Sequence, residues 1–220
     1  MSHIVNTINK LKEELNASEV ELVAVSKTKP MEAIQEAYDG GQRVFGENKV
    51  QEMVDKHEQL PKDIEWHMIG HLQSNKVKYM ASFVHLIHTV DSEKLLKEIN
   101  KQAAKHGRVI NCLLQLKIAK EESKFGMSFD DALELLDRLD NFPNVKVVGL
   151  MGMATFTDEQ GVVRDEFKRL KQYFDRMNSF GGYALSTLSM GMSGDYKLAV
   201  EEGSNMVRIG STIFGARNYN

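Results

Sequence analysis

Cysteine is nearly missing from this chain of 220 residues: Cys112 stands alone. One thiol cannot build a disulfide framework, and its place inside an apolar run reads as a buried, inert side chain. Proline is scarce too, three in all, and no Pro-, Gly- or Ser-rich stretch divides the chain. That excludes a linker, so residues 1–220 read as one domain. No apolar run is long enough to cross a bilayer. The N-terminus has no apolar core of a secretory signal; it reads instead as an amphipathic helix with Ile4, Ile8, Leu11 and Leu15 on one side. An excess of charge of either sign is also lacking. The net charge of −3 gives no electrostatic reason to expect nucleic acid or a membrane surface as partner. The local cluster Lys168-Arg169-Leu170-Lys171 reads as a solvated helix face. A reducing cytoplasm fits all of these absences.

What is present is ordinary for a globular protein, with 42% hydrophobic and 27% charged residues. The organisation is an alternation. Strand patterns fall at 21–26, 43–45, 65–69, 83–89, 110–118, 145–151, 187–190 and 206–209. Helical patterns fall between them at 31–38, 49–60, 75–81, 92–106, 128–141 and 159–179, with one more after Asp195. Ser92 and Ser128 stand where helix caps belong, and Gly107 where a helix stops. Alternation of this kind implies a parallel sheet, and eight units imply a closed (β/α)8 barrel with an extra N-terminal helix. An open doubly wound sheet is the competing architecture.

In such a barrel the chemistry lies at the C-terminal strand ends. The first strand runs into Val23-Ala24-Val25-Ser26-Lys27-Thr28-Lys29-Pro30. Val23, Val25 and Lys27 share one face, and alternate residues of a barrel strand point inward. A lysine entering a pocket there loses solvation of its ammonium form, and the neutral amine attacks aldehydes and ketones. The same spacing fits a surface lysine at a strand end.

Near the other end lie two turns, Gly191-Met192-Ser193-Gly194-Asp195 and Arg208-Ile209-Gly210-Ser211-Thr212. Loops after the seventh and eighth strands of these barrels often hold a phosphate on backbone N–H groups and a helix start. The alternative is that the glycines only make turns and the serines only cap helices. Arg208, between Val207 and Ile209, must face something polar, either a ligand or a barrel carboxylate. His67 and His71 stand four apart, but no carboxylate or cysteine completes a ligand set with them, and a metal ion is not expected. Met151, Met153, Met190 and Met192 fill irregular apolar space in the core or beside a ligand.

Six segments then resemble a known family: AVSKTKP (24–30), FGENKVQE (45–52), WHMIGHLQSNK (66–76), GLMGMAT (149–155), LSMGMSGD (188–195) and GSNMVRIGSTIFG (203–215). They resemble the pyridoxal 5′-phosphate homeostasis proteins, single-domain relatives of the alanine racemase N-terminal barrel. The resemblance implies pyridoxal phosphate held as an internal imine on Lys27, its phosphate at Ser193, Gly210 and Ser211, and its pyridine nitrogen near Arg208. Asn48 is expected close to the cofactor. Lys117, Asn205 and Ser211 depart from the family's pattern, and none of the three removes an expected cofactor contact.

The function implied is that of a cytoplasmic, monomeric carrier of the cofactor, with pyridoxal phosphate-dependent apo-enzymes as recipients and no catalytic residue of its own. A racemase needs a second acid/base group, which alanine racemase takes from a C-terminal β-domain of the partner subunit, and no such domain is expected here. Two rivals stand beside it. One is an amino-acid racemase that borrows His67 or a tyrosine as its second acid/base. The other is a class I aldolase-like barrel, whose lysine forms an imine with a sugar phosphate and needs no cofactor.

Overall fold

Eight short apolar segments form strands: β1 (Glu21–Val25), β2 (Val44–Glu47), β3 (Glu65–Met68), β4 (Leu86–Val90), β5 (Ile110–Gln115), β6 (Val145–Met151), β7 (Thr187–Met192) and β8 (Met206–Ile209). In the computed structural model, which describes residues 2–16, 18–120, 125–179 and 183–215, they pair in parallel in chain order, and β8 returns to β1. The result is a closed (β/α)8 barrel. Helices lie on the outside, α1 (His3–Asn16) before the first strand and the others after strands: α2 (Met31–Asp39), α3 (Val50–Gln59), α4 (Glu93–Lys105), α5 (Phe129–Leu136), α6 (Gln160–Ser179), α7 (Tyr196–Glu201) and α8 (Ser211–Phe214). Between β3 and β4 the helix is a 3₁₀ segment, Ser74–Tyr79.

Both faces of each strand are covered, which is why the strands read as continuous apolar runs. Val23, Val44, Leu86, Leu113, Met151 and Met206 fill the interior. A larger apolar layer lies between strands and helices, with Phe45, Trp66 and Phe167 among its biggest side chains. The helix α8 is a single turn and cannot cover the seam where β8 meets β1. The extra helix α1 lies there instead, burying Ile8, Leu11 and Leu15, with Glu14 reaching Tyr196 Oη at 3.1 Å and Lys197 Nζ at 3.2 Å.

The structure departs from the sequence pattern in a few places. The segment at 83–85 is not strand. Val84 N–H closes a turn onto Met80 O, and the Phe83 ring stacks on His57 at 3.8 Å. The apolar run at 110–118 leaves the sheet after Gln115, because Met127 bridges to Leu116. The helix expected over 128–141 ends at Leu136 and resumes as a short 3₁₀ turn, Leu139–Asn141. Strand β7 runs two residues past Met190, through Gly191 at φ +98°.

Candidate functional site

At the C-terminal ends of the strands lies a cavity of about 400 Å³. Lys27, Asn48, Ser193, Arg208, Gly210 and Ser211 all line it, together with Val25, Lys29, Ile69, Met153, Phe156 and Met192. All six residues singled out in the sequence therefore meet at one place. A larger groove of about 710 Å³ lies on the outer surface at α1 and α2, but Glu32, Glu36 and Asp39 line it and would repel an anion.

Lys27 follows β1 and is half-buried. The next residue, Thr28, has φ +62°, a conformation that a β-branched residue adopts only under local constraint. The constraint is visible. Thr28 N–H donates to Glu52 Oε1 at 2.6 Å, and the same oxygen accepts from Lys56 Nζ at 2.7 Å. Lys56, on the buried face of α3, also donates to Ser26 O at 2.8 Å and to Glu47 Oε1 at 2.7 Å. Ser26 Oγ donates to that carboxylate at 2.6 Å. Ser26 and Glu47 thus tie the end of β1 to the end of β2, directly behind Lys27 and Asn48. Burial pushes the Glu47 carboxyl up to about 7, against the opposing pull of Lys56.

Lys29 is committed elsewhere. Its Nζ donates to Phe214 O at 2.9 Å and Gly215 O at 3.0 Å, so it ties the β1–α2 loop to the end of α8. Asn48 is held by close backbone packing. A Cβ on Gly70 would lie 2.2 Å from Asn48 O, so only glycine lets the β3 loop approach so closely.

Arg208 points from β8 into the barrel and is 4% exposed. Its guanidinium donates to Ser189 Oγ at 2.5 Å and to Gly152 O at 3.1 Å. Burial draws it down to about 10, with the charge of Asp195 opposing, so it remains a cation at neutral pH. Across the cavity, Gly210 N–H donates to Ser193 Oγ at 3.2 Å. The first helical hydrogen bonds of α8 run from Ile213 and Phe214 to Gly210 O. The N–H groups of Ser211 and Thr212 lie in the first turn, where a helix offers no internal acceptor. The two turns therefore present hydroxyls and N–H donors side by side.

His67 and His71 separate. His71 is half-exposed, stacks on Phe125 at 3.9 Å and lies 3.5 Å from Asp91. His67 turns into the barrel, where it is 1% exposed and bonded to His88, and it does not line the cavity. Sequence reasoning missed Ser189, which holds Arg208, and the buried Lys56. A serine with the inward parity of its strand was a usable signal for the first. For Lys56 there was none, because a buried charge breaks the apolar period.

A family model described as the alanine racemase N-terminal domain matches residues 1–218. The pyridoxal phosphate homeostasis protein of Aquifex aeolicus is 41% identical over 222 aligned residues, which cover 100% of this chain and 97% of that protein. The chain belongs to this family. Among solved structures similar to this family member is PipY of Synechococcus elongatus without PLP, at 36% identity and TM-score 0.91, covering 96% of this chain and 100% of that one. The same protein with PLP bound matches at TM-score 0.89 with the same identity and coverage.

Proposed function

We propose that the cavity binds pyridoxal 5′-phosphate and that the chain serves in vitamin B6 homeostasis as a carrier of that cofactor rather than as an enzyme. The observation that carries this reading is the convergence of Lys27, Arg208 and the Ser193/Gly210/Ser211 turns on one cavity, in a chain whose relative was solved with PLP. Its volume of about 400 Å³ falls in the range for a cofactor-sized ligand. The cofactor has an aldehyde, a phosphate and a ring nitrogen. In our reading Lys27 Nζ would hold the aldehyde carbon as an imine, with release of water, the two turns would hold the phosphate, and Arg208 would lie near the ring nitrogen. Asn48 would lie close to the cofactor, and the thioethers of Met153 and Met192, which line the same cavity, would supply apolar contact. Bound cofactor would supply an electrophilic carbonyl and a conjugated ring; the protein supplies position and charge.

In the carrier reading the half-buried Lys27 permits release as well as capture, and apo-enzymes are the recipients. We take the carrier to be a cytoplasmic monomer. Among the described residues no helix is long and apolar enough to cross a membrane.

The test is absorbance and borohydride trapping. Protein mixed with pyridoxal phosphate should turn yellow, and reduction should fix the label on the peptide that carries Lys27. Lys27→Ala should lose both signals, whereas Lys29→Ala should keep them. Label on Lys29, or a persistent yellow band in the Lys27→Ala protein, would overturn the assignment. A colourless protein with no affinity for the cofactor would overturn the function.

A further inference from the structure

We infer that the opposite, N-terminal mouth of the barrel carries a binding site for one divalent transition-metal ion of the zinc class, ligated by Glu65, His67 and His85. Glu65 and His67 lie two apart on β3 and so share its inner face. His85 comes just before β4, and its N–H donates to Trp66 O at 2.9 Å, which sets it beside that face. One donor atom from each of the three side chains lies within 4.8 Å of the others. His85 Nε2 is 3.4 Å from Glu65 Oε2. The His67 and His85 rings are nearly parallel, 11° apart with centroids at 5.6 Å.

Proximity of three such groups is not enough, and His67 supplies the second observation. Its Nδ1 lies 3.0 Å from His88 Nε2. Its Nε2 is buried and has no protein partner. A buried ring nitrogen without a partner is costly and calls for an explanation. If Nδ1 carries the proton and donates to His88, Nε2 presents a bare lone pair, the form a metal ion requires. His88 in turn reaches Ser189 Oγ at 3.0 Å from its Nδ1. A ligating histidine held through its other nitrogen by a buried chain of partners is the usual outer support of a metal site.

Two imidazoles and a carboxylate select zinc, cobalt, nickel or copper over magnesium or calcium. Zinc with ligand bonds of about 2.0–2.2 Å needs its donors closer than they stand here. Glu65 and His85 can close that gap, because their side chains are 43% and 47% exposed while His67 is fixed. Glu21, at the start of β1, lies near both Glu65 and His85. It offers a second carboxylate at the same mouth, which would balance a dication.

The test uses the full chain without a histidine tag, stripped with a chelator and free of cofactor, so that it is independent of the pyridoxal phosphate reading. Calorimetric titration with Zn²⁺ should show one ion per chain. Co²⁺ should give the intense visible bands of a four- or five-coordinate site. His85→Ala and Glu65→Gln, both at exposed positions, should each weaken binding roughly tenfold or more, at least the loss known for outer partners. His71→Ala should leave the affinity unchanged. No saturable binding below millimolar Zn²⁺, or full affinity in both His85→Ala and Glu65→Gln, would overturn the site.

Discussion

At the scale of single residues, the cavity depends on places where no side chain fits. Gly70→Ala would drive a methyl group to 2.2 Å from Asn48 O. The clash is with backbone, so the loop bearing Asn48 must move, and we expect a loss of about 1–3 kcal/mol together with weaker cofactor binding. Urea unfolding and a cofactor titration measure the two effects. Gly161→Ala in α6 meets nothing within 4 Å and should be neutral or stabilising, which makes it the control. Gly210 is tighter than its turn requires, since a Cβ there would lie 3.1 Å from both Val25 Cβ and Val25 O. A larger side chain would press on β1 and push an anion away from the donors of Ser193 and Ser211. If those donors hold the phosphate, pyridoxal lacking it forfeits two or three charge-assisted bonds of roughly 1.5–3 kcal/mol each, and should bind about a hundredfold more weakly or worse. Equal affinity for the two aldehydes would show that the turns are only turns. That Lys27 would line the cavity was legible, because the strand period points it inward with Val23 and Val25. The engagement of Lys29 was not, since its partners are carbonyls 185 and 186 residues further along the chain.

At the scale of elements, the period of two fixed the strands well and the ends less well. Strands β6 and β8 occupy the residues their patterns mark, because each is bounded by turn residues. The overrun of β5 had no local sign, since the residue that pulls the chain away, Met127, comes from a later segment. The single turn of α8 is too short to show any helical period. The Ser26–Glu47–Lys56 network was equally hidden, because its members come from the end of β1, from β2 and from α3, which meet only in the fold. That network gives a pH dependence. The ordinary value for a glutamate is 4.5, and burial raises Glu47 to about 7. Below pH 4.5 the carboxyl is protonated in both folded and unfolded chains, and its contribution to stability is fully present. As pH rises towards 7 the unfolded chain releases the proton while the folded chain keeps it, so stability falls, and above about 7 the loss is complete. The full excursion is at most about 3 kcal/mol. Denaturant midpoints between pH 5 and 8 should therefore slope less in Glu47→Gln than in the parent protein. Identical slopes would mean that Glu47 is ionised in the fold throughout.

At the scale of the whole molecule, the question is whether the barrel that holds the cofactor can also turn over amino acids. Racemisation needs a proton acceptor on one face of the bound substrate and a donor on the other. Among the described residues, the groups lining the cavity that titrate are Lys27, Lys29 and Arg208, with no His, Tyr, Asp, Glu or Cys. Lys29 is occupied by the carbonyls of Phe214 and Gly215. His67, the histidine that a borrowed second acid/base would most naturally use, is buried inside the barrel against His88. Arg208 remains charged near neutral pH, held by Ser189 and Gly152. A cation facing the ring nitrogen opposes its protonation, and an unprotonated ring is a weaker sink for the electrons that racemisation and transamination must store. The shortage of a second base and the fixed cation act in the same direction. With L-alanine and other amino acids the loaded protein should show turnover far below the roughly 10 per second of a typical enzyme, followed by chiral chromatography and keto-acid detection. Arg208→Gln tests the electronic half separately: if Arg208 faces the ring nitrogen as proposed, the substitution frees that nitrogen from the cation, yet racemisation should stay slow for want of the second base. A parent protein that racemises alanine at an ordinary enzymatic rate would replace the carrier with a racemase and require an acid/base group from outside this cavity.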